Sequence, residues 1–176
     1  MKITWFGDAT FRLHIGGAIV VTGADDAPLG IDRNELLSGA DHAVTPSGNL
    51  PVADAMRWKR RAPVRLLDAD DQNRPLEFWS IGENSLLVDA DGEAPLVLLG
   101  GVVPELGRWA EKAVLVVFGG HGSLAETALA VLDSVAPRLI ALAGSEAEVD
   151  AAFAALRERL DGTGLVALER GMAVEI

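Results

Sequence analysis

Short apolar runs alternate with turn residues through the first third of the chain, the pattern of a strand meander with one buried face. Ile3 to Phe6, Thr10 to Ile15 and Ala18 to Thr22 read as three strands. The last two are joined through Gly16-Gly17, a two-residue hairpin signal, because such turns need positive φ that glycine adopts without strain. Asp41 to Thr45 and Val64 to Leu67 are weaker strand signals, separated by a short predicted helix from Val52 to Trp58. A second meander follows: Leu76 to Ile81, Ser85 to Asp89 and Leu96 to Leu99, punctuated by Gly82-Glu83-Asn84 and Asp91-Gly92.

From about Pro104 the pattern changes to strand–helix alternation, which predicts βα units laid against a sheet. Val114 to Phe118 and Leu139 to Leu142 are continuous apolar runs suited to buried central strands. Each is followed by a capping box, Ser123-Leu124-Ala125-Glu126 and Ser145-Glu146-Ala147-Glu148, in which hydroxyl and carboxylate satisfy orphan amides reciprocally. The first helix carries Leu124, Ala128, Val131, Leu132 and Val135 at helical spacing and stops before Pro137. The second carries Val149, Phe153, Leu156 and Leu160 and ends at Asp161-Gly162. Leu165 to Leu168 and Met172 to Glu175 then predict a closing hairpin around Arg170-Gly171. Two strand-rich halves, each followed by helices, suggest two stacked sheets with helices outside, a four-layer αββα sandwich.

Composition narrows the function classes. With 176 residues, 49% of them apolar, the chain can bury one substantial core, and a single domain over 1–176 is expected. The absence of cysteine removes disulfides, thiolate zinc sites and cysteine nucleophiles together. No export signal and no membrane-length apolar run is visible, so a cytoplasmic protein without a membrane partner is expected. A net charge of −11 disfavours nucleic acid as a partner. The basic cluster Arg57, Lys59, Arg60, Arg61 and Arg65 reads either as a solvated helix end or as a local anion site.

The opening Met1-Lys2-Ile3-Thr4-Trp5-Phe6-Gly7-Asp8-Ala9-Thr10-Phe11, followed by Gly16-Gly17 and a strand, resembles that of metallo-β-lactamase-fold hydrolases of the lactonase-like branch. Val116-Val117-Phe118-Gly119-Gly120-His121-Gly122-Ser123-Leu124, Ala136-Pro137-Arg138-Leu139-Ile140 and the closing Leu168-Glu169-Arg170-Gly171-Met172-Ala173-Val174-Glu175 are similar to that family's C-terminal segments. The resemblance implies an αββα sandwich of two mixed sheets flanked by helices, and an ancestral two-metal site. It also implies that the ligands are gone. The family's Thr-His-x-His-x-Asp-His loop corresponds to Thr45 onward, with Pro46, Gly48, Leu50 and Pro51 at the ligand positions. Gly101 stands for the bridging Asp, Ala143 for the terminal His, Asp8 for the His of the first Gly-His, and Thr22 for the Asp of Ile-Asp-Pro. Side chains of Pro, Gly, Leu and Ala offer a metal no donor.

The resemblance therefore implies a pseudoenzyme with no metal, no cofactor and no catalytic residues. Its pocket candidates are Asp8, Thr45, Asn49 and His121, carried by the loops expected to converge at the ancestral site. His121 and Asp8 equally suit local roles, one bonding within its Gly-rich turn and the other capping an amide. Asp41-His42 points to opposite sides of a strand, and His14 sits within one. Ser47 and Ser123 lie outside any Gly-x-Ser-x-Gly elbow, and Ser123 already caps a helix. Gly119-Gly120-His121-Gly122 lacks the Gly-Lys-Ser/Thr of a phosphate loop, and Asp68-Ala69-Asp70-Asp71 lacks the later Gly and Glu of a calcium loop. Three function classes stay open: a non-catalytic protein binding a small molecule or protein partner, a divergent hydrolase rebuilt around Asp8 and His121, and a structural subunit of an oligomer. Trp5, Trp58, Trp79 and Trp109 suit a homodimer interface or the core.

Overall fold

A computed structural model describes residues 1–46, 48–62, 74–119 and 122–176. Among the described residues eleven strands form two mixed sheets. The first sheet has the order β11-β1-β2-β3-β4, from β1 (Lys2–Gly7), β2 (Thr10–Ile15), β3 (Ala18–Thr22), β4 (His42–Val44) and β11 (Ala173–Glu175). The second has the order β10-β9-β8-β7-β6-β5, from β5 (Glu77–Gly82), β6 (Ser85–Asp89), β7 (Leu96–Leu99), β8 (Val114–Phe118), β9 (Leu139–Ala143) and β10 (Gly164–Leu168). The predicted β2–β3 hairpin is present, with Gly16 and Gly17 at φ 58° and 81° and Ile15 paired to Ala18.

The period-two rule decides what faces what. Val114, Val116 and Phe118 point into a core shared with Ile3, Phe11, Leu13, Ile15 and Val20 of the first sheet. Leu115 and Val117 point the other way, against α2 (Leu124–Ser134) and α3 (Glu146–Leu156). The two sheets thus pack face to face, with α2 and α3 on the outer side of the second. Both helices begin with the predicted capping boxes, Ser123 with Glu126 and Ser145 with Glu148. A short helix, α1 (Arg33–Leu37), packs Leu36 with Val21 and Ala24 on the first sheet's outer side. The sequence pattern did not predict α1, although Asp32 accepts from the amides of Asn34 and Glu35 as an N-cap. Among the described residues no helix is long and apolar enough to cross a membrane.

Two expectations fail. Val52 to Trp58 forms one turn rather than a helix, because its backbone is committed elsewhere: the Ser80 amide donates to Pro51 O and the Ala53 amide to Ser80 O. Asp54 caps the single turn through the Met56 and Arg57 amides. The closing hairpin is the second failure. Its turn exists, with the Met172 amide donating to Glu169 O, but the two strands join different sheets. β10 lies parallel to β9, and β11 lies antiparallel to β1. Leu168, Val174 and Ile176 all reach the shared core by this route, and both β1 and β9 gain a neighbour. The Val64 to Leu67 strand, Arg65 and the Asp68 to Asp71 turn lie outside the described residues.

The basic cluster is not a helix end. Arg61, 16% exposed, pairs with the buried Asp89 at 3.2 Å, while Arg60 approaches the same carboxylate at 3.6 Å. Arg61 also lies 3.6 Å from Glu77, and Arg74 pairs with Asp91 at 2.7 Å. Arg60 and Arg61 are neutralised from within the fold, which argues against an anion site built on them.

Candidate functional site

Parallel pairing of β7, β8, β9 and β10 brings their C-terminal ends to one edge of the second sheet. In the first sheet the same edge carries the ends of β1, β3 and β4, with Gly7 opposite Thr10 and Thr22 opposite Val44. Chain reversals from both sheets meet here. The β1–β2 turn holds Asp8 at φ 44°, a left-handed conformation Asp tolerates better than most residues. Its backbone oxygen accepts from Trp5 Nε1 at 3.1 Å. Thr22 Oγ1 donates to Ala9 O at 2.8 Å and Thr10 Oγ1 to Gly23 O at 3.0 Å, so both buried hydroxyls are spent on holding this turn.

The strand ends are closely packed where the resemblance places metal ligands. Ala143 is fully buried in the shared core. A Cβ built on Gly101 would collide with the Glu83 carbonyl oxygen, and one on Gly100 with the ring of Phe118. That ring lies edge-on to Phe11 at 5.3 Å, closing the gap between the sheets. Pro46 is buried, Gly48 and Pro51 are exposed, and Leu50 packs against the shared core. These residues do not fit a metal pair, since none of the positions offers a side-chain donor and at Gly101 the Glu83 carbonyl leaves no room for one. Among the described residues no three His, Asp or Glu side chains come together as a metal cluster.

Beside this edge, a cleft of about 810 Å³ runs between β1, β10 and the start of α3. Trp5, Val149, Ala167 and Leu168 give it apolar walls, and Asp8, Glu146, Asp150 and Glu169 ring it with carboxylates. Arg170 also lines it, but its Nε donates to Phe6 O at 2.6 Å. Ser145, which lines it too, is bonded to Glu148 through Oγ at 2.6 Å. That contact, then the bond from the Ser145 amide, holds the Glu148 carboxyl below the ordinary carboxylate range. The cleft is thus acidic at its rim and apolar within, suited to an amphipathic cationic group.

Of the sequence candidates, Asp8 lines the cleft; Thr45 and Asn49 do not, following β4 on the far side of the first sheet. His121 lies outside the described residues. Glu146, Asp150 and Glu169 were not predicted: the first two sit in the first half of α3, and Glu169 follows β10 where the chain crosses between the sheets, a segment the sequence pattern read as a hairpin. Comparison with family models, curated proteins and solved structures finds no match to this chain.

Proposed function

We propose that residues 1–176 form one metallo-β-lactamase-like domain, a four-layer αββα sandwich that has given up metal-dependent hydrolysis and binds a ligand or partner at the strand-end edge. Support for the fold comes from two mixed sheets sharing one core, with α2 and α3 outside one and α1 outside the other. The observation that carries the functional half is the packing at Gly101 and Ala143. Reduced selection for a ligand would leave a small residue beside free space; here the Glu83 carbonyl stands against Gly101, and Ala143 is fully buried in the shared core. The edge has been rebuilt as core. Binding then belongs to the neighbouring cleft, whose Asp8, Glu146, Asp150 and Glu169 favour a cationic, partly apolar ligand.

The test is metal content and activity of protein purified without chelator. No stoichiometric zinc, manganese or iron, and no metal-dependent lactonase, esterase or phosphodiesterase activity, is the expected result, since such hydrolysis needs a cation to bring bound water towards a pKa of about 7. One tightly held transition metal per chain, lost together with an activity in Asp8→Ala or His121→Ala, would replace this reading with a rebuilt hydrolase.

A further inference from the structure

β10 ends its sheet with nothing beside it among the described residues, and it carries none of the features that protect an edge. Its sequence, Gly164-Leu165-Val166-Ala167-Leu168, contains no charge and no proline. The other edges differ. β4 and β11 are three residues each, and β5 is covered at Ser80, whose amide donates to Pro51 O and whose carbonyl accepts from the Ala53 amide. Because the Gly164 amide donates inward to Arg138 O, the alternate residues Leu165 and Ala167 turn their N–H and C=O groups outward. Beside this edge, on the helix layer, Phe153 is 38% exposed and joins Leu160 and Leu165 in a shallow groove of about 560 Å³.

We propose that this edge and groove are the interface of a two-fold homodimer, in which β10 pairs antiparallel with β10 of a second copy and extends the six-stranded sheet across both. Centring the axis on Val166 sets Leu165 opposite the second copy's Ala167, a pair that exchanges both backbone hydrogen bonds, and the symmetry repeats it. A second copy suits the charge as well as the shape. A net charge of −11 per chain opposes association at long range, so the contact has to be neutral or complementary where it forms. β10 is neutral, and α3 carries Glu146 and Glu148 in its first turn and Asp150 after them, with Arg157 as its C-cap residue. The two-fold runs the helices antiparallel, turning Arg157 of one copy toward Asp150 of the other. It thereby brings a cation to the acidic cleft of each chain and covers Phe153 on both.

Sedimentation equilibrium of the full chain from low to high micromolar concentration tests this. Twice the 18.5 kDa chain mass is expected at the upper end. Ala167→Pro, which removes an outward donor without touching the β9 ladder, and Phe153→Glu, on an exposed helix position, should each weaken the dimer by roughly tenfold or more. Circular dichroism and melting checks that each variant is folded; if Ala167→Pro is not, Phe153→Glu carries the test. Arg157→Glu should weaken the dimer and Asp150→Arg added to it should restore it, which general destabilisation would not produce. A chain that stays monomeric throughout, or a dimer indifferent to Phe153→Glu and to the charge exchange, overturns the proposal, the latter placing association on another face.

Discussion

Asp89 and Gly101 show how single positions constrain this molecule. Asp89 is 1% exposed, and its charge is balanced by Arg61 and Arg60. Arg61 in turn donates to Pro75 O at 2.9 Å and to Asp89 O at 3.1 Å, tying the segment before β5 to the end of β6. Asp89→Ala takes from the largely buried Arg61 its nearest counter-charge and leaves it the more exposed Glu77 and Asp91 at 3.6 and 4.0 Å, so a loss of about 3 kcal/mol is expected in urea unfolding. A midpoint shift no larger than that of an exposed substitution would show that the guanidinium finds water instead. Gly101 tests the argument about lost ligands from the opposite direction. Gly101→Asp restores the residue type that the resemblance places there, yet the new side chain must displace the Glu83 carbonyl. Destabilisation of about 1–3 kcal/mol, with no gain of zinc in metal analysis, is the expected outcome. A stable, zinc-loaded variant would show that the site is dormant rather than rebuilt.

The two capping boxes tie helix starts to solution pH. Glu126 and Glu148 are both held below the ordinary carboxylate range, Glu126 first by the bond from the Ser123 amide and Glu148 first by the Ser145 hydroxyl. Since the folded value is lowered, the stabilisation is fully present above the unfolded glutamate value of about 4.3 and is lost as pH falls through the folded value. Glu148→Gln should therefore lower stability at neutral pH, where the carboxylate's contribution is present, and change little in strong acid, where it is already lost, so that the acid limb of the stability–pH curve flattens in thermal melts across the acid range. Ser145→Ala should cost about 1 kcal/mol at neutral pH in the same melts. These boxes were legible because a helix start is written in adjacent residues. So were β8 and β9, whose continuous apolar runs follow from burial on both faces, whereas β7, legible as a strand of the second meander, is buried on both faces rather than half-buried. Less was legible where an element answers to distant partners. Residues 52–58 have helical periodicity but surrender their backbone to β5, and residues 165–175 have hairpin chemistry but are drawn apart by two open edges. The cleft suffered the same fate, since Glu169 reaches it where the chain crosses between the sheets and Glu146 and Asp150 reach it from α3.

For the whole molecule, the crossover makes the last residues part of the first sheet. β11 pairs Lys2 with Glu175, Ile3 with Val174 and Thr4 with Ala173, and the Ile176 amide donates to Met1 O at 2.9 Å. Val174 and Ile176 pack against the core that both sheets share. Removing residues 170–176 therefore does more than shorten a tail. Two half-buried aliphatic side chains leave that core, a loss of about 2–3 kcal/mol at roughly 1.5 kcal/mol each, and the edge of β1 is uncovered. The truncated chain should unfold at lower urea and scatter light at concentrations where the full chain does not. Because Ile3, Phe11 and Leu13 interdigitate with Leu98, Val116 and Phe118 rather than forming a core of their own, the damage should not stay in the first sheet. Hydrogen exchange is the measure: amides of β2 and β8 should lose protection at the same urea concentration in the full chain, and together at a lower one in the truncation. Protection in β8 that outlasts β2 would mean that the second sheet, with α2 and α3, is stable by itself and that the sheets fold as separate units.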